Sequence, residues 1–181
     1  MSATEPEERT AVVSNCGRYR YLLIRRWASG PLLTLVLLNP STADAATDDR
    51  TVCRCRGFAR AHGLAGMQVL NLYAYRTREP RQLWQVADPV GPDNDHHLTR
   101  AGATAHLLVA GWGTRARPER VHAVLGLPGF DRLWVLGLTR AGLPRHPLYL
   151  PSAARPHAWP PSPESSPRAS PPRERERHRR R

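Results

Sequence analysis

Apolar residues gather in four short runs along this chain, separated by stretches where they recur at helical spacing. Leu32 to Asn39 (LLTLVLLN) is almost unbroken, the pattern of a strand covered on both faces. GMQVLNLYAY from Gly66, HLLVAGWG from His106 and DRLWVLGL from Asp131 repeat it. After the first run, RTVCRCRGFARAHG sets Val52, Cys55, Phe58 and Ala59 on one helical face and meets a natural stop at Gly63. REPRQLWQV predicts a short helix. GPDNDHHLTRAGATA predicts another, with Asp93 or Asn94 placed to cap it, and PERVHAVLGL a third with Pro118 in its first turn. Ahead of them all, TAVVSNC and RYRYLLIRRW are rich in strand formers and predict an N-terminal β-hairpin, followed by a turn at ASGP.

Strands alternating with helices predict an α/β fold: a three-layer α/β/α sandwich with a mostly parallel four-stranded central sheet, plus the hairpin. Such sheets bind ligands beyond the carboxyl ends of their strands. Here those ends read NPSTAD, NLYAYRT, GWGTR and GLTRAGLPRHPLYLP, so polar and glycine-rich residues converge on one edge.

Composition sets the boundaries. From Pro151 onward the chain holds 8 of its 18 prolines and almost no aliphatic residues. Residues 160–181 are expected to be a disordered tail, residues 1–11 a disordered N-terminus, and residues 12–159 a single domain. The net charge is +12 and all 27 basic residues are arginine. A nucleic-acid partner fits that charge, although an arginine-only composition also follows from codon usage. Cys16, Cys53 and Cys55 show no disulfide rhythm, and Cys53-x-Cys55 is too closely spaced for an ordinary zinc pair. No apolar run approaches the ~20 residues of a membrane span, and the acidic, polar start is unlike a signal peptide. A cytoplasmic monomer with no membrane association, no cofactor and no metal is the resulting expectation.

Several residues at the strand ends carry candidate chemistry. Asn39-Pro40-Ser41 stops a buried strand where ligands sit, although Asn and Pro also suit a plain turn. Asn71 ends another buried strand, and a buried amide is costly unless paired, so it either stitches strand ends or reads a ligand. Arg76 and Arg78 follow it, and guanidinium forks suit phosphate. Trp112 suits a pocket wall, and His146 lies in a proline-flanked loop. Asp44, Asp48 and Asp49 precede the first helix, where they either cap it or hold Mg²⁺.

Taken in order, these strand ends resemble the uracil-DNA glycosylase superfamily. Leu38-Asn39-Pro40 is similar to its first motif, Trp112-Gly113 to its Trp-Gly strand end, and Arg145-His146-Pro147 to its second catalytic motif. More closely, LNPSTAD, NLYAYR, GPDND and GLTRAGLPRHPLYLP resemble the bacterial family called domain of unknown function 1643, from about Tyr19 to Trp159. The glycosylase resemblance implies a nucleobase- or nucleotide-directed hydrolase acting on an N-glycosidic bond, with DNA binding. In that reading Asn39 and His146 are catalytic: Asn39 orients a water, and His146 donates to the leaving base. Substrate would meet Pro40, Ser41, Asn71, Tyr73, Arg76, Trp112, Gly113 and Arg145. Asn71 would pair with the base edge, while Tyr73, Tyr75 or Phe58 would stack on the ring. Two alternatives stay open. One is a non-catalytic module that binds nucleic acid or a modified base. The other is a metal-dependent nucleotide enzyme using Asp44, Asp48 and Asp49.

Overall fold

The computed structural model of the chain describes residues 7–159. Seven strands form one sheet: β1 (Glu8–Val13), β2 (Arg20–Arg26), β3 (Leu32–Leu37), β4 (Gly66–Asn71), β5 (Leu107–Ala110), β6 (Trp134–Val135) and β7 (His157–Ala158). Their spatial order is β1-β2-β4-β3-β5-β6-β7. Three helices complete the frame: α1 (Arg50–Ala61), α2 (Asn94–Thr104) and α3 (Pro118–Leu125).

The four apolar runs become β3, β4, β5 and β6, which pair parallel to one another. The expected four-stranded, mostly parallel sheet nevertheless needs correction. β1 pairs antiparallel with β2, β2 with β4 and β7 with β6, so three of the six pairings are antiparallel. The hairpin is part of the sheet because the outer edge of β4 would otherwise carry unpaired peptide groups, and β2 satisfies them from Leu23 to Arg26. The N-terminal boundary also moves. β1 begins within the segment expected to be disordered, and it is held by charge. Glu7 meets Arg56 at 2.8 Å, Glu8 meets Arg26 at 3.4 Å, and Arg9 meets Asp48 at 2.9 Å. At the other end, Trp159 donates its backbone N–H to Leu133 O at 2.8 Å and its indole N–H to Gly142 O at 3.1 Å. The tail expected at 160–181 lies outside the described residues.

Helices cover both faces of the sheet. On one, α1 lays Val52, Cys55, Phe58 and Ala59 on Leu33, Leu35, Leu37, Met67 and Val69. On the other, Leu98 of α2 and Val124 of α3 join Phe130 against Val36, Leu70, Leu108, Ala110 and Val135. Asp49 caps α1 by accepting from the Val52 N–H at 2.9 Å, a bond worth about 1 kcal/mol. The cap expected for α2 is absent. Asp93 occupies that position without a side-chain capping bond, and the fully buried Asn94 donates instead to the carbonyls of Asn71 (3.0 Å) and Leu72 (3.1 Å).

The crossover through α1 carries the chain from β3 to β4 on one side, and the next, through α2, carries it to β5 on the other. The winding direction therefore reverses at β3. A crevice opens between the carboxyl ends of β3 and β5, the position where open α/β sheets take ligands. No helix among the described residues is long and apolar enough to cross a membrane.

Candidate functional site

Beyond β3 and β4 the chain stays zipped together after both strands have ended. Leu72 N–H donates to Leu37 O at 2.8 Å, Tyr73 N–H to Leu38 O at 3.0 Å, and Thr77 N–H to Pro40 O at 2.9 Å. This ladder fixes Asn39. Its amide nitrogen donates to Pro40 O (2.9 Å) and to Thr77 O (2.8 Å), which settles which end of the amide is nitrogen. Its Oδ1 is left without a partner among the described residues, an acceptor at the mouth of the crevice.

The β5 side is shaped by two glycines. A side chain at Gly111 would come within 2.9 Å of Leu37 and 3.1 Å of Pro147, so only glycine lets these segments approach. Gly113 has φ +75° and donates its N–H to Pro144 O at 2.9 Å, turning the chain toward the 145–149 segment. Trp112 between them is 2 % exposed, meets Trp159 edge-on at 5.6 Å, and its indole N–H has no partner among the described residues.

His146 opens a 3₁₀ turn over Pro147–Tyr149, and its Nδ1 accepts the Leu148 N–H at 3.3 Å. That bond requires an unprotonated Nδ1, so the ring hydrogen of the neutral form sits on Nε2. Burial holds the ring's pKa below the ordinary histidine range, with the Asp49 charge opposing. At neutral pH the ring is therefore a neutral donor of fixed tautomer. Arg54 of α1, donating to Leu150 O, anchors the far end of this turn.

These three strand ends enclose a cleft of about 410 Å³. Asn39, Ser41, Trp112, Gly113 and His146 line it together with Leu38, Thr51, Thr77, Arg78, Arg115 and Tyr149. No carboxylate is among its lining residues, and two guanidinium groups are. Its chemistry is that of an acceptor and a donor held in fixed orientations between aromatic walls, under a positive potential.

The sequence model of one protein family, described as a protein of unknown function (DUF1643), matches residues 20–148. The chain belongs to the DUF1643 family. No curated protein and no solved structure gives a significant match.

The matched span of this DUF1643 protein contains every expected site residue, but they do not all meet. Asn71 is 1 % exposed and does not line the cleft. Its Oδ1 accepts from Arg20 Nη2 at 3.3 Å and its carbonyl accepts from Asn94, so it stitches β2, β4 and α2 together. Tyr73 is equally enclosed: its hydroxyl accepts the Arg117 N–H at 3.2 Å and its ring meets Trp84 edge-on. Phe58 lies in the α1 core. Pro40 is buried and acts through its carbonyl. Arg145 is exposed away from the cleft, its backbone N–H bonded to Gly137 O. Arg76 and Tyr75 face an adjoining groove.

The three aspartates have separate tasks. Asp48 takes Arg25 Nε at 2.8 Å and Arg9 at 2.9 Å on Oδ1, and Arg56 at 2.6 Å on Oδ2. Asp44 accepts the N–H groups of Ala46 and Thr47, and Asp49 caps α1. Among the described residues no three of His, Cys, Asp and Glu gather closely enough to hold a metal. Sequence reasoning missed Tyr149, an exposed aromatic whose ring lies 5.9 Å from that of His146. The signal was available: an aromatic inside a proline-flanked segment that already held a candidate histidine.

Proposed function

We propose that the cleft receives a nucleobase and that the protein hydrolyses the N-glycosidic bond joining that base to its sugar. The observation that carries this reading is the pair of oriented groups in one cleft. Asn39 offers a free Oδ1 whose direction is fixed by two carbonyls, and His146 offers an Nε2–H whose tautomer is fixed by the Leu148 N–H. Base–sugar cleavage needs both. As the C–N bond breaks, its electron pair moves onto the base, and a donor beside that base stabilises the growing charge. The sugar carbon becomes cationic, and a water held by Oδ1 supplies the oxygen of the new C–O bond. Its proton finishes on the departing base. An amide deprotonates water poorly, which suits a path where departure of the base runs ahead of attack. The exposed ring of Tyr149 gives the base a place to stack.

The parallel β4-β3-β5-β6 core and the resemblance of its strand ends to uracil-DNA glycosylases support the same reading. The absence of a lining carboxylate is equally compatible with a module that binds a base without cleaving it. Incubation of the purified protein with oligonucleotides and nucleosides carrying uracil or altered pyrimidines tests the two. Base release is expected, slowed roughly 10²–10³-fold in His146→Ala by loss of one charge-stabilising donor. Asn39→Ala is expected to lower kcat with little change in KM. Binding without release, in wild type and both variants, establishes the binding module.

A further inference from the structure

A second concavity, of about 390 Å³, adjoins the cleft and shares Ser41, Thr77 and Arg78 with it. Its far walls are the β1–β2 turn, at Gly17 and Arg18, and the segment after β4, at Tyr75 and Arg76. Those walls are tied to each other. Arg76 donates its N–H to Arg18 O at 2.9 Å and its Nη1 to Gly17 O at 3.3 Å, and Tyr19 bridges Tyr75. Three guanidinium groups therefore meet in one groove, with the hydroxyls of Ser41 and Thr42 beside them.

Carboxylates do little to balance that charge, although the Cys16 thiol hydrogen-bonds Arg18. No carboxylate lines it, and among the described residues Arg18, Arg76 and Arg78 form no ion pair. Asp44, whose carboxylate is stabilised in part by the charge of Arg76, has its Oδ1 committed to Ala46 and Thr47. A fourth guanidinium adds to the excess. Arg20 is 3 % exposed and donates to Ala43 O, next to Thr42, while its Nε is buried without a partner. Burial lowers its pKa only to about 10, so it stays charged at neutral pH. Arg18 and Arg78 are exposed, so water screens part of this charge, but a multivalent anion can still take forked hydrogen bonds from the cluster.

We propose that this groove holds the phosphate of a nucleotide whose base occupies the adjoining cleft. This rests on the cleft being a base site, and it names the ligand as a phosphorylated nucleotide, free or within a strand, in place of a free base or nucleoside. Arg18, Arg76 and Arg78 grip the phosphate oxygens, Ser41 and Thr42 add hydroxyl donors, and the sugar spans the Ser41–Arg78 boundary between the two concavities.

Isothermal titration of the full chain with a panel of nucleosides, their 5′-monophosphates, inorganic phosphate and a short single-stranded oligonucleotide tests this. The same titrations on Arg18→Gln/Arg76→Gln keep the C-terminal arginines constant in both proteins. Neither substituted residue lines the cleft, and circular dichroism with a melting curve checks the variant's fold. A monophosphate is expected to bind about 10–100-fold more tightly than its nucleoside, the range of one or two charge-assisted hydrogen bonds, and the variant should lose that gain while keeping nucleoside affinity. Oligonucleotide affinity that falls in the variant, without measurable mononucleotide binding, assigns the phosphate to a strand. Inorganic phosphate bound as tightly as every nucleotide, and lost in the variant, keeps the groove and overturns the base cleft. Equal affinity for nucleoside and monophosphate, a gain that survives the double substitution, or no binding of any phosphate-bearing probe overturns the phosphate site.

Discussion

Replacing Asp48 with asparagine should destabilise this protein far more than loss of a surface ion pair would. Asp48 is the carboxylate partner of Arg25, whose side chain is fully buried on β2, and it also binds Arg9 and Arg56. Removing one partner of a buried pair costs about 3–5 kcal/mol, because the remaining charge is left uncompensated. Two features place this site at the lower end of that range. Arg25 keeps the carbonyls of Ile24 (2.8 Å) and Asp44 (2.5 Å), and asparagine retains one acceptor oxygen. A loss of about 3 kcal/mol corresponds to a melting temperature roughly 6–12 °C lower for a domain of this size. The pH dependence gives a second handle. Burial alone would raise the pKa of Asp48, but hydrogen bonds from Arg56 and Arg25 and the charges of Arg25 and Arg9 outweigh it and hold it below the ordinary value. A depressed folded-state pKa contributes stability that is complete above the unfolded value of about 3.9 and fades as pH falls through the folded value. Urea unfolding of wild type and Asp48→Asn at neutral pH and again in acid should show a large difference that narrows in acid. A neutral-pH loss below about 1 kcal/mol, the worth of an exposed pair, would refute the reasoning. So would a difference that stays constant as pH falls.

Two further outcomes follow from titrating side chains. His146 should titrate in ring NMR spectra with a midpoint below the ordinary ~6.5, because burial disfavours its charged form. Its unfolded state then binds the proton first, so stability falls as pH drops from about 6.5 toward the folded midpoint, and His146→Gln should flatten that part of the profile; a midpoint at or above ~6.5 rules this out. Cys16, exposed, has its pKa lowered to about 7 by the Ser14 hydroxyl and then by the Arg18 backbone and guanidinium groups. Its alkylation by iodoacetamide should rise with a midpoint near 7, while Cys55, buried and pushed up to about 12, stays unmodified in the native protein. Mass spectrometry of the alkylated peptides that placed the Cys16 midpoint near the ordinary ~8.5 would exclude the Ser14–Arg18 effect.

What the sequence disclosed was whatever apolar periodicity encodes. The four core runs and the buried stripe of α1 were legible because burial on two faces or one leaves a direct trace in residue order. Asn39 and Trp112 could be placed together because both follow strands whose ends form the edge of one sheet, and His146 because it follows the last such run. Asn71 shows where that logic stops. A buried amide at a strand end announces a need for partners without saying whether they are protein or ligand. Here Arg20 meets the amide oxygen, the amide nitrogen has no partner among the described residues, and Asn94, which bonds the backbone carbonyl instead, was itself read as a helix cap. The start of β1 at Glu8 was missed for a related reason: it is secured by Glu7, Glu8 and Arg9, and alternating charge looks the same whether it is paired or solvated.

The loop from Asn39 to Asp49 depends on charge in the same way. Apart from Ala43, its residues 42–49 offer little to pack, yet the loop must hold Asn39 and Ser41 against the cleft at one end and start α1 at the other. β2 grips it through two buried arginines. Arg20 reaches Ala43 O at 2.8 Å, and Arg25 reaches Asp44 O at 2.5 Å, Thr47 O at 3.4 Å and Asp48 at 2.8 Å. The antiparallel strand that the parallel-sheet expectation set aside as a separate hairpin therefore supports the loop that forms one wall of the site. Weakening this grip should act on the cleft as well as on stability. In Asp48→Asn the geometry of Asn39 is set at one end by the Thr77 and Pro40 carbonyls, which remain, and at the other by a loop that has lost its counter-charge. Ligand affinity should therefore fall less than stability does. An unchanged melting temperature with abolished binding would instead mean that Asp48 meets the ligand, and that the arginines of β2 belong to the site itself.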